Sequence, residues 1–233
     1  MRAGKKTAIF YSVFLSFFLT IVFFGNNAIT TFSEKIPIDR GHCIIIDAGH
    51  GGIDGGATSC SGILESKYNL QIALRLNDLL HLMGHNTKMI RTTDVSVYTK
   101  GDSIAQKKAS DLKERVRIVN ESENGILISI HQNNFSDSRY SGAQVFHGNS
   151  EDSNLLARLM QDQLVSNLNP GSNRECKESN GIYLMEHIKY TGILIECGFL
   201  SNPEEEAKLR SENYQKNLCC VISAVLSQYL SNT

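Results

Sequence analysis

Three short apolar segments of this chain each lead into a side chain that can bind a metal or move a proton. The segments are Cys43–Ala48, Ile126–Ile130 and Gly192–Ile195, and the side chains that follow them are His50, His131 and Glu196. A single histidine at the end of a strand more often has a structural role. Three such side chains after three similar segments instead predict a functional site.

The apolar segments are rich in β-branched residues, which predicts buried strands. The glycine-rich run 49–56 around His50 predicts a loop at the end of the first strand. Parallel strands carry ligand sites at their carboxyl ends, so the three side chains are expected at one edge of a sheet.

Glu65 stands just before a helical pattern that runs from Leu70 to Met83 and closes at Gly84, with Ser66 as the predicted N-cap. A glutamate at this position also interacts favourably with the helix dipole, which is a sufficient structural reason for it. However, this helix follows the glycine-rich loop, so it must start near the carboxyl end of the first strand. We therefore expect Glu65 close to His50.

Together these four residues predict a hydrolytic zinc site with one Zn²⁺ per domain. His50, Glu65 and His131 supply two imidazoles and a carboxylate, a ligand set that leaves a fourth position for water. Glu196 supplies a base that is not itself a ligand.

Other binding functions fit the sequence less well. A phosphate- or dinucleotide-binding loop is disfavoured, because no G-x-G-x-x-G aligns with the glycine-rich run and no Lys-Ser/Thr follows it. The net charge of −1 and the absence of a basic stripe interleaved with aromatic residues argue against a nucleic-acid surface.

The 233 residues, 41% of them hydrophobic, predict one α/β domain with a mostly parallel twisted sheet that helices cover on both faces. After the first helix, the patterns predict these elements in order: a strand at Thr87–Arg91, an irregular segment at Thr92–Ser110, a helix at Asp111–Asn120 with Leu112, Val116 and Val119 inward, strands at Ala143–His147 and Gly181–Met185, and helices at Asn154–Leu168, from Asn202 and at Tyr214–Leu230.

Residues 1–32 are predicted to be a signal or membrane anchor, residues 33–42 a linker, and residues 43–233 the catalytic domain. Arg2, Lys5 and Lys6 precede the uncharged apolar run Thr7–Phe24. Eighteen residues lie between the length of a secretory signal and that of a membrane span, and we favour an uncleaved anchor over a cleaved signal. The basic residues predict that the N-terminus stays in the cytoplasm and the domain is exported.

The six cysteines give a weaker signal. Cys43, Cys197, Cys219 and Cys220 are predicted to be small buried side chains. A disulfide between Cys60 and Cys176 remains open from the sequence.

The ordered motifs of the chain resemble those of the zinc-dependent N-acetylmuramoyl-L-alanine amidases of the amidase-3 family, which cleave the amide between muramic acid and L-alanine in peptidoglycan. The matching motifs are Ile46–Gly52 with Asp54–Ala57, Glu65, Ile90–Asp94, Ser129–Asn133 and Ile195–Pro203. The resemblance covers residues 43–231. It implies that His50, Glu65 and His131 are zinc ligands, that Glu196 is the catalytic carboxylate, and that the substrate is peptidoglycan.

Within this family, three segments are similar to the germination-specific amidases of spore-forming bacteria: Gln106–Val116, Ser141–Gln144 and Gly181–Met185. That likeness implies removal of stem peptides for muramic-δ-lactam formation in the spore cortex, at the outer face of the cytoplasmic or forespore membrane. A general vegetative autolysin, a non-catalytic peptidoglycan-binding domain and a zinc carboxypeptidase are the alternatives.

Three residues depart from the usual family pattern near the site: Ala48, Gln132 and Cys197. None of them removes a ligand. They suggest the hypothesis that the isolated domain holds zinc weakly and needs an accessory protein.

Overall fold

The computed structural model describes residues 41–232, which belong to one compact unit. The predicted segment 1–32 and most of the linker 33–42 lie outside the described residues. The strands of the described part are β1 (Cys43–Ala48), β2 (Thr87–Met89), β3 (Gly125–Asn133), β4 (Gln144–His147), β5 (Lys177–Glu178) and β6 (Thr191–Phe199). Its helices are α1 (Glu65–Leu82), α2 (Ile104–Asn120), α3 (Glu151–Leu168), α4 (Tyr183–His187), α5 (Pro203–Arg210) and α6 (Glu212–Ser231). Between residues 41 and 232, no helix is both long enough and apolar enough to span a membrane.

The six strands form one sheet in the order β2-β1-β3-β6-β4-β5. The first four strands in this order are parallel, and β4 runs antiparallel to β6. The register pairs Ile130 with Ile195 and His131 with Glu196, so the carboxyl ends of β3 and β6 lie side by side. The predicted α/β fold with a mostly parallel sheet is confirmed.

Strand alternation divides the sheet into two unequal faces. We call the face covered by α1, α3 and α6 the major face; its strand residues include Ile46, Ile128 and Ile195, packed against Leu76, Met160 and Ile222. We call the face covered by α2 and α4 the minor face; its smaller core joins Ile45, Leu127 and Leu194 to Val119, Leu184 and Met185. The predicted helices on both faces are therefore present.

The strand predicted at Gly181–Met185 is wrong, because this segment forms the short helix α4. Gly181 has a φ of +84°, which interrupts any extended run before it becomes a strand. Leu184 and Met185 then pack on the minor face. A short apolar run fits one helical turn as well as a strand, so the sequence pattern alone could not separate the two.

The predicted starts of two helices also need correction. α1 begins at Glu65, and Ser66 lies inside the helix instead of capping it. α2 begins at Ile104, within the segment predicted to be irregular, because Ser103 and Gln106 form a reciprocal capping box. The predicted inward stripe of α2 is wrong at Leu112, which is 38% exposed, whereas Arg115 is buried.

The helix predicted from Asn202 is confirmed, since the Asn202 side chain accepts hydrogen bonds from the backbone N–H groups of Glu204 and Glu205. All six cysteines are free thiols, so Cys60 and Cys176 form no disulfide. Cys197 and Cys219 are buried as predicted, but Cys220 is exposed because it lies on the outer side of α6.

Candidate metal centre and active site

His50 lies in the loop that follows β1, with a φ of +59° that few residues other than glycine adopt. Its Nδ1 lies 2.9 Å from Asp54 Oδ2, four residues further along the loop. The Nε2 atom faces the opposite way, 3.3 Å from Glu65 Oε2. A carboxylate bound to one ring nitrogen fixes the orientation of the imidazole and leaves the other nitrogen for a ligand.

Glu65 is the first residue of α1 and is only 4% exposed. Its Oε1 lies 3.0 Å from His131 Nδ1 and accepts a hydrogen bond from the backbone N–H of Gln132. Its Oε2 accepts a hydrogen bond from the backbone N–H of Ala57. The carboxylate thus connects both histidines to the loop between them.

The ligand atoms of His50, Glu65 and His131 all lie within 4.8 Å of one another, so the group could hold a metal ion. Two glycines make this close approach possible. A Cβ at Gly49 would lie 2.2 Å from His131 Nε2, and a Cβ at Gly56 would lie 2.6 Å from Glu65 Oε2. The glycine-rich run is therefore required by packing at the cluster as well as by the turn itself.

The acidic side chains around His50 stabilise a positive charge at the cluster. Burial opposes the charged form of His50, but hydrogen bonds and attraction from Glu65 and Asp54 outweigh burial and raise its pKa to about 9. Burial likewise opposes the charge of Glu65, yet hydrogen bonds from His131 and His50 hold its pKa well below the usual range. A cation bound by these three side chains meets the same attraction.

Glu196 lies on β6 directly beside His131 of β3. Its Oε2 is buried and has no hydrogen-bond partner among the described residues. Burial, with a smaller contribution from the negative charge of Glu65, raises the pKa of Glu196 to about 7, although His131 and His50 oppose the shift. A carboxyl group with a pKa near neutrality can both accept and donate a proton at physiological pH.

The structure brings all four predicted residues to one edge of the sheet, and it adds residues that the sequence reasoning did not select. Asp54 orients His50, and its other oxygen lies 2.8 Å from Lys108 Nζ. The spacing of four residues between His50 and Asp54 within one loop was the available signal for this contact. No local signal pointed to Lys108, which lies on α2.

Two buried arginines hold the loop that carries His50. Arg91 donates hydrogen bonds to the carbonyl oxygens of Ala48, Gly49 and Ser66. Arg115 donates to the carbonyl oxygens of Ala48 and His50 and pairs with Asp47 and Asp111. The sequence does not reveal that Arg115 is buried, because several charged residues lie on α2 and its inward face is known only from the structure.

A cavity of about 210 Å³ opens beside the histidines on the minor face. Its lining is mostly apolar and also holds charged side chains of both signs: Ile53, Leu112, Ile182, Tyr183, Leu184 and Leu194 with Lys107, Lys108, Asp54 and Asp111. Apolar walls with a few charged groups are typical of a cavity that binds a small organic substrate or part of a larger one.

Comparison with known proteins identifies the family of the chain. The family model described as N-acetylmuramoyl-L-alanine amidase matches residues 44–227. The germination-specific N-acetylmuramoyl-L-alanine amidase of Bacillus subtilis is 35% identical over 221 residues, 94% of this chain and 91% of that protein. In the solved complex of the CwlD amidase from Clostridioides difficile with the GerS lipoprotein, the amidase matches 82% of this chain and 99% of its own, at 37% identity and a TM-score of 0.78.

An N-acetylmuramoyl-L-alanine amidase from Clostridium difficile 630 matches with 30% identity and a TM-score of 0.72, over 84% of this chain and 100% of that one. The predicted resemblance is therefore confirmed over the whole described domain. The chain belongs to the N-acetylmuramoyl-L-alanine amidase family, whose members are peptidoglycan hydrolases.

Proposed function

We propose that this protein is a zinc-dependent amidase in which His50, Glu65 and His131 hold the metal and Glu196 is the catalytic carboxylate. The observation that carries the proposal is the convergence of three ligand atoms within 4.8 Å of one another, beside a carboxylate with an unpaired buried oxygen. Two imidazoles and one carboxylate form a donor set that suits zinc and leaves a position for water. Zinc in such a site lowers the pKa of a bound water and polarises the scissile carbonyl.

Glu196 is suited to the proton transfers of amide hydrolysis. In its ionised form it accepts the proton of the attacking water, and in its protonated form it donates that proton to the amide nitrogen of L-alanine. Burial of Glu196 raises its pKa, which favours the protonated form that the donation step needs. Asp54 and the two arginines keep His50 and its loop in place during these steps.

Substitutions at the site test this division of roles. Replacing His50 or His131 by Ala should abolish both zinc binding and release of stem peptides from purified peptidoglycan. Glu196→Gln should retain one zinc per domain and lose hydrolysis, because the amide cannot accept the proton. Stoichiometric zinc in either histidine variant, or loss of zinc in Glu196→Gln, would contradict the assignment.

We propose further that the enzyme removes stem peptides so that muramic-δ-lactam can form in spore cortex. The 35% identity to the germination-specific amidase of B. subtilis supports this role over that of a vegetative autolysin. Removal of the peptide frees the lactyl carboxylate that must close the lactam ring. Cortex from a strain without this gene should lack muramic-δ-lactam by muropeptide analysis; normal lactam content with a defect in vegetative cell separation would instead indicate an autolysin.

We propose that the domain acts outside the cytoplasm, held at the membrane by residues 1–32, and that an accessory protein assists it. The related CwlD amidase of C. difficile has been solved in complex with a lipoprotein, which supports a partner for this chain as well. Similarity to a probable cell wall amidase of Staphylococcus aureus supports export, and the apolar run Thr7–Phe24 supports the anchor. Fractionation of cells that express the full chain, with and without residues 1–32, tests the anchor.

A further inference from the structure

Asn69 is a fully buried polar residue near the start of α1, one turn before the buried apolar residues Ile72 and Ala73. It lies one helical turn after Glu65, so the two side chains project from the same face of the helix. Asparagine is a weaker helix former than most residues, and a buried amide is costly unless it is hydrogen-bonded. Its position inside α1 is therefore unfavourable for the helix alone.

The Asn69 side chain contacts all three segments that carry the candidate ligands. Its Nδ2 donates to the carbonyl oxygen of Gly49, which precedes His50, and to Oε1 of Glu65, at 3.1 and 3.2 Å. Its Oδ1 accepts a hydrogen bond of 3.2 Å from Nε2 of Gln132, which follows His131. Both N–H groups and the carbonyl are thus used, which fixes the orientation of the amide.

Apart from the candidate ligand Glu65 itself, no other buried polar side chain around the cluster bonds all three segments within residues 41–232. Arg91 bonds Gly49 and the first turn of α1 but has no contact with β3 in the hydrogen bonds of residues 41–232. Arg115 bonds the His50 loop and Asp47 but neither Glu65 nor Gln132. Asn69 therefore joins the three ligand segments to one another, alongside Glu65 itself, whereas Arg91 and Arg115 each anchor only some of them.

We propose that Asn69 is a positioning residue that sets the mutual placement of His50, Glu65 and His131 and thereby the affinity of the site for zinc. This inference rests on the proposed zinc function. Gln132 acts through Asn69, since its amide holds the Asn69 carbonyl and so directs both N–H groups toward Gly49 and Glu65. Mutation of a residue that hydrogen-bonds to a metal ligand commonly lowers metal affinity by about 10- to 100-fold.

The test is zinc binding to the full described domain, measured by competition with a chelator, for wild type, Asn69→Ala and Gln132→Ala. Asn69→Ala is expected to fold, because Gly49 O keeps its bond from Arg91 and Glu65 Oε1 keeps its bond from the Gln132 backbone. We expect the Kd for zinc to rise about tenfold or more in Asn69→Ala and about threefold in Gln132→Ala. In the double variant, the effect of Gln132→Ala should largely vanish if it acts through Asn69.

Asn77→Ala is the matched control, because it removes an asparagine from the same helix that only accepts a hydrogen bond from Thr87. Its zinc Kd should remain within about twofold of wild type, the scatter expected for a site with no shared partners. The Tm of each metal-free variant separates stability from positioning. A lower Tm with unchanged zinc Kd in Asn69→Ala would make the residue merely structural and overturn the inference.

Two further outcomes are decisive. If Asn69→Ala does not fold, Gln132→Ala decides: an unchanged Kd overturns the inference, and a rise supports it. If wild type binds no zinc even at saturating zinc concentration, the proposed function fails. If wild type binds zinc and Asn69→Ala binds it equally well, only the inference on Asn69 is overturned.

Discussion

The two faces of the sheet are built from different chemistry. The major face is a continuous apolar core in which Leu76, Ile128 and Met160 are completely buried. The minor face has a much smaller apolar core and buries the ions Asp47 and Arg115 next to a cavity. Strand alternation produces the difference, because Ile46 and Asp47 are consecutive and point to opposite faces.

The two faces therefore have different roles: the major face stabilises the fold, and the minor face positions the candidate site. Apolar burial on the major face supplies most of the favourable free energy of folding. A buried ion pair contributes little net stability, because desolvation of the two charges offsets their attraction. On the minor face, Arg115 instead holds the carbonyl oxygens of Ala48 and His50 and so fixes the loop that carries a candidate ligand.

The largest expected effect comes from removing Arg115 while its buried partner Asp47 stays in place. Arg115→Met should lower the free energy of unfolding by about 3–5 kcal/mol, because Asp47 is left charged and buried with only Ser129 as a partner. Urea unfolding at pH 7 measures the change. Arg117→Met, which removes an exposed arginine from the same helix, is the control and should leave the urea midpoint unchanged.

The same pair predicts a dependence on pH. Burial disfavours the charge of Asp47, but Arg115 and then His131 and Ser129 hold its pKa below the usual value. In wild type this stabilisation is present above the unfolded pKa of about 3.9 and is lost as pH falls through the lower folded pKa. Without Arg115, burial should raise the pKa of Asp47, so that the residue protonates readily and the destabilisation by Arg115→Met shrinks between pH 7 and pH 4. An equal difference at both pH values would contradict this account.

A truncation on the major face should come next in size. Leu76→Ala should cost about 3 kcal/mol of unfolding free energy, because Leu76 is completely enclosed by the core and the cavity left behind cannot collapse. Zinc affinity should stay unchanged in the folded variant. Urea unfolding and chelator competition measure the two quantities, and a large loss of zinc binding would mean that the faces are not separable.

The matching truncation on the minor face should cost less. Leu184→Ala removes the same atoms, but Leu184 lies in the short helix α4 and already lines the cavity. We expect a cost of about 2 kcal/mol or less, near the low end for such truncations. A rise in KM for peptidoglycan fragments with little change in kcat should accompany it. A cost equal to that of Leu76→Ala would remove the proposed difference between the faces.

The smallest effect is expected at the start of α2, where the capping box is exposed. Ser103→Ala should lower the free energy of unfolding by about 1 kcal/mol, through loss of the hydrogen bond to the backbone N–H of Gln106. Thermal unfolding measures the change. Asn202→Ala, which removes the corresponding cap of α5 on the other side of the domain, gives a comparison of similar expected size.

The sequence by itself predicted the fold class, five of the six strands and the four candidate site residues, but it missed the two-residue strand β5. The central strands β1, β3 and β6 are apolar runs, and a candidate side chain stands at or just after the end of each run, as His131 follows Ile126–Ile130. These signals are local, because a run of consecutive apolar residues is enough to predict a buried strand. The glycine-rich loop and the order of the motifs then sufficed to predict the family.

Only the tertiary structure decided which polar residues support the site. Arg115 and Asp47 are 68 residues apart, and Gln132 and Asn69 are 63 apart, so no local pattern reveals either contact. The short helix α4 was likewise settled by packing on the minor face, whereas the capping box that starts α2 is a local pattern already present in the sequence. Hydrogen-bond partners and buried charges depend on which segments meet in the folded chain, and that information becomes available only when the sheet is assembled.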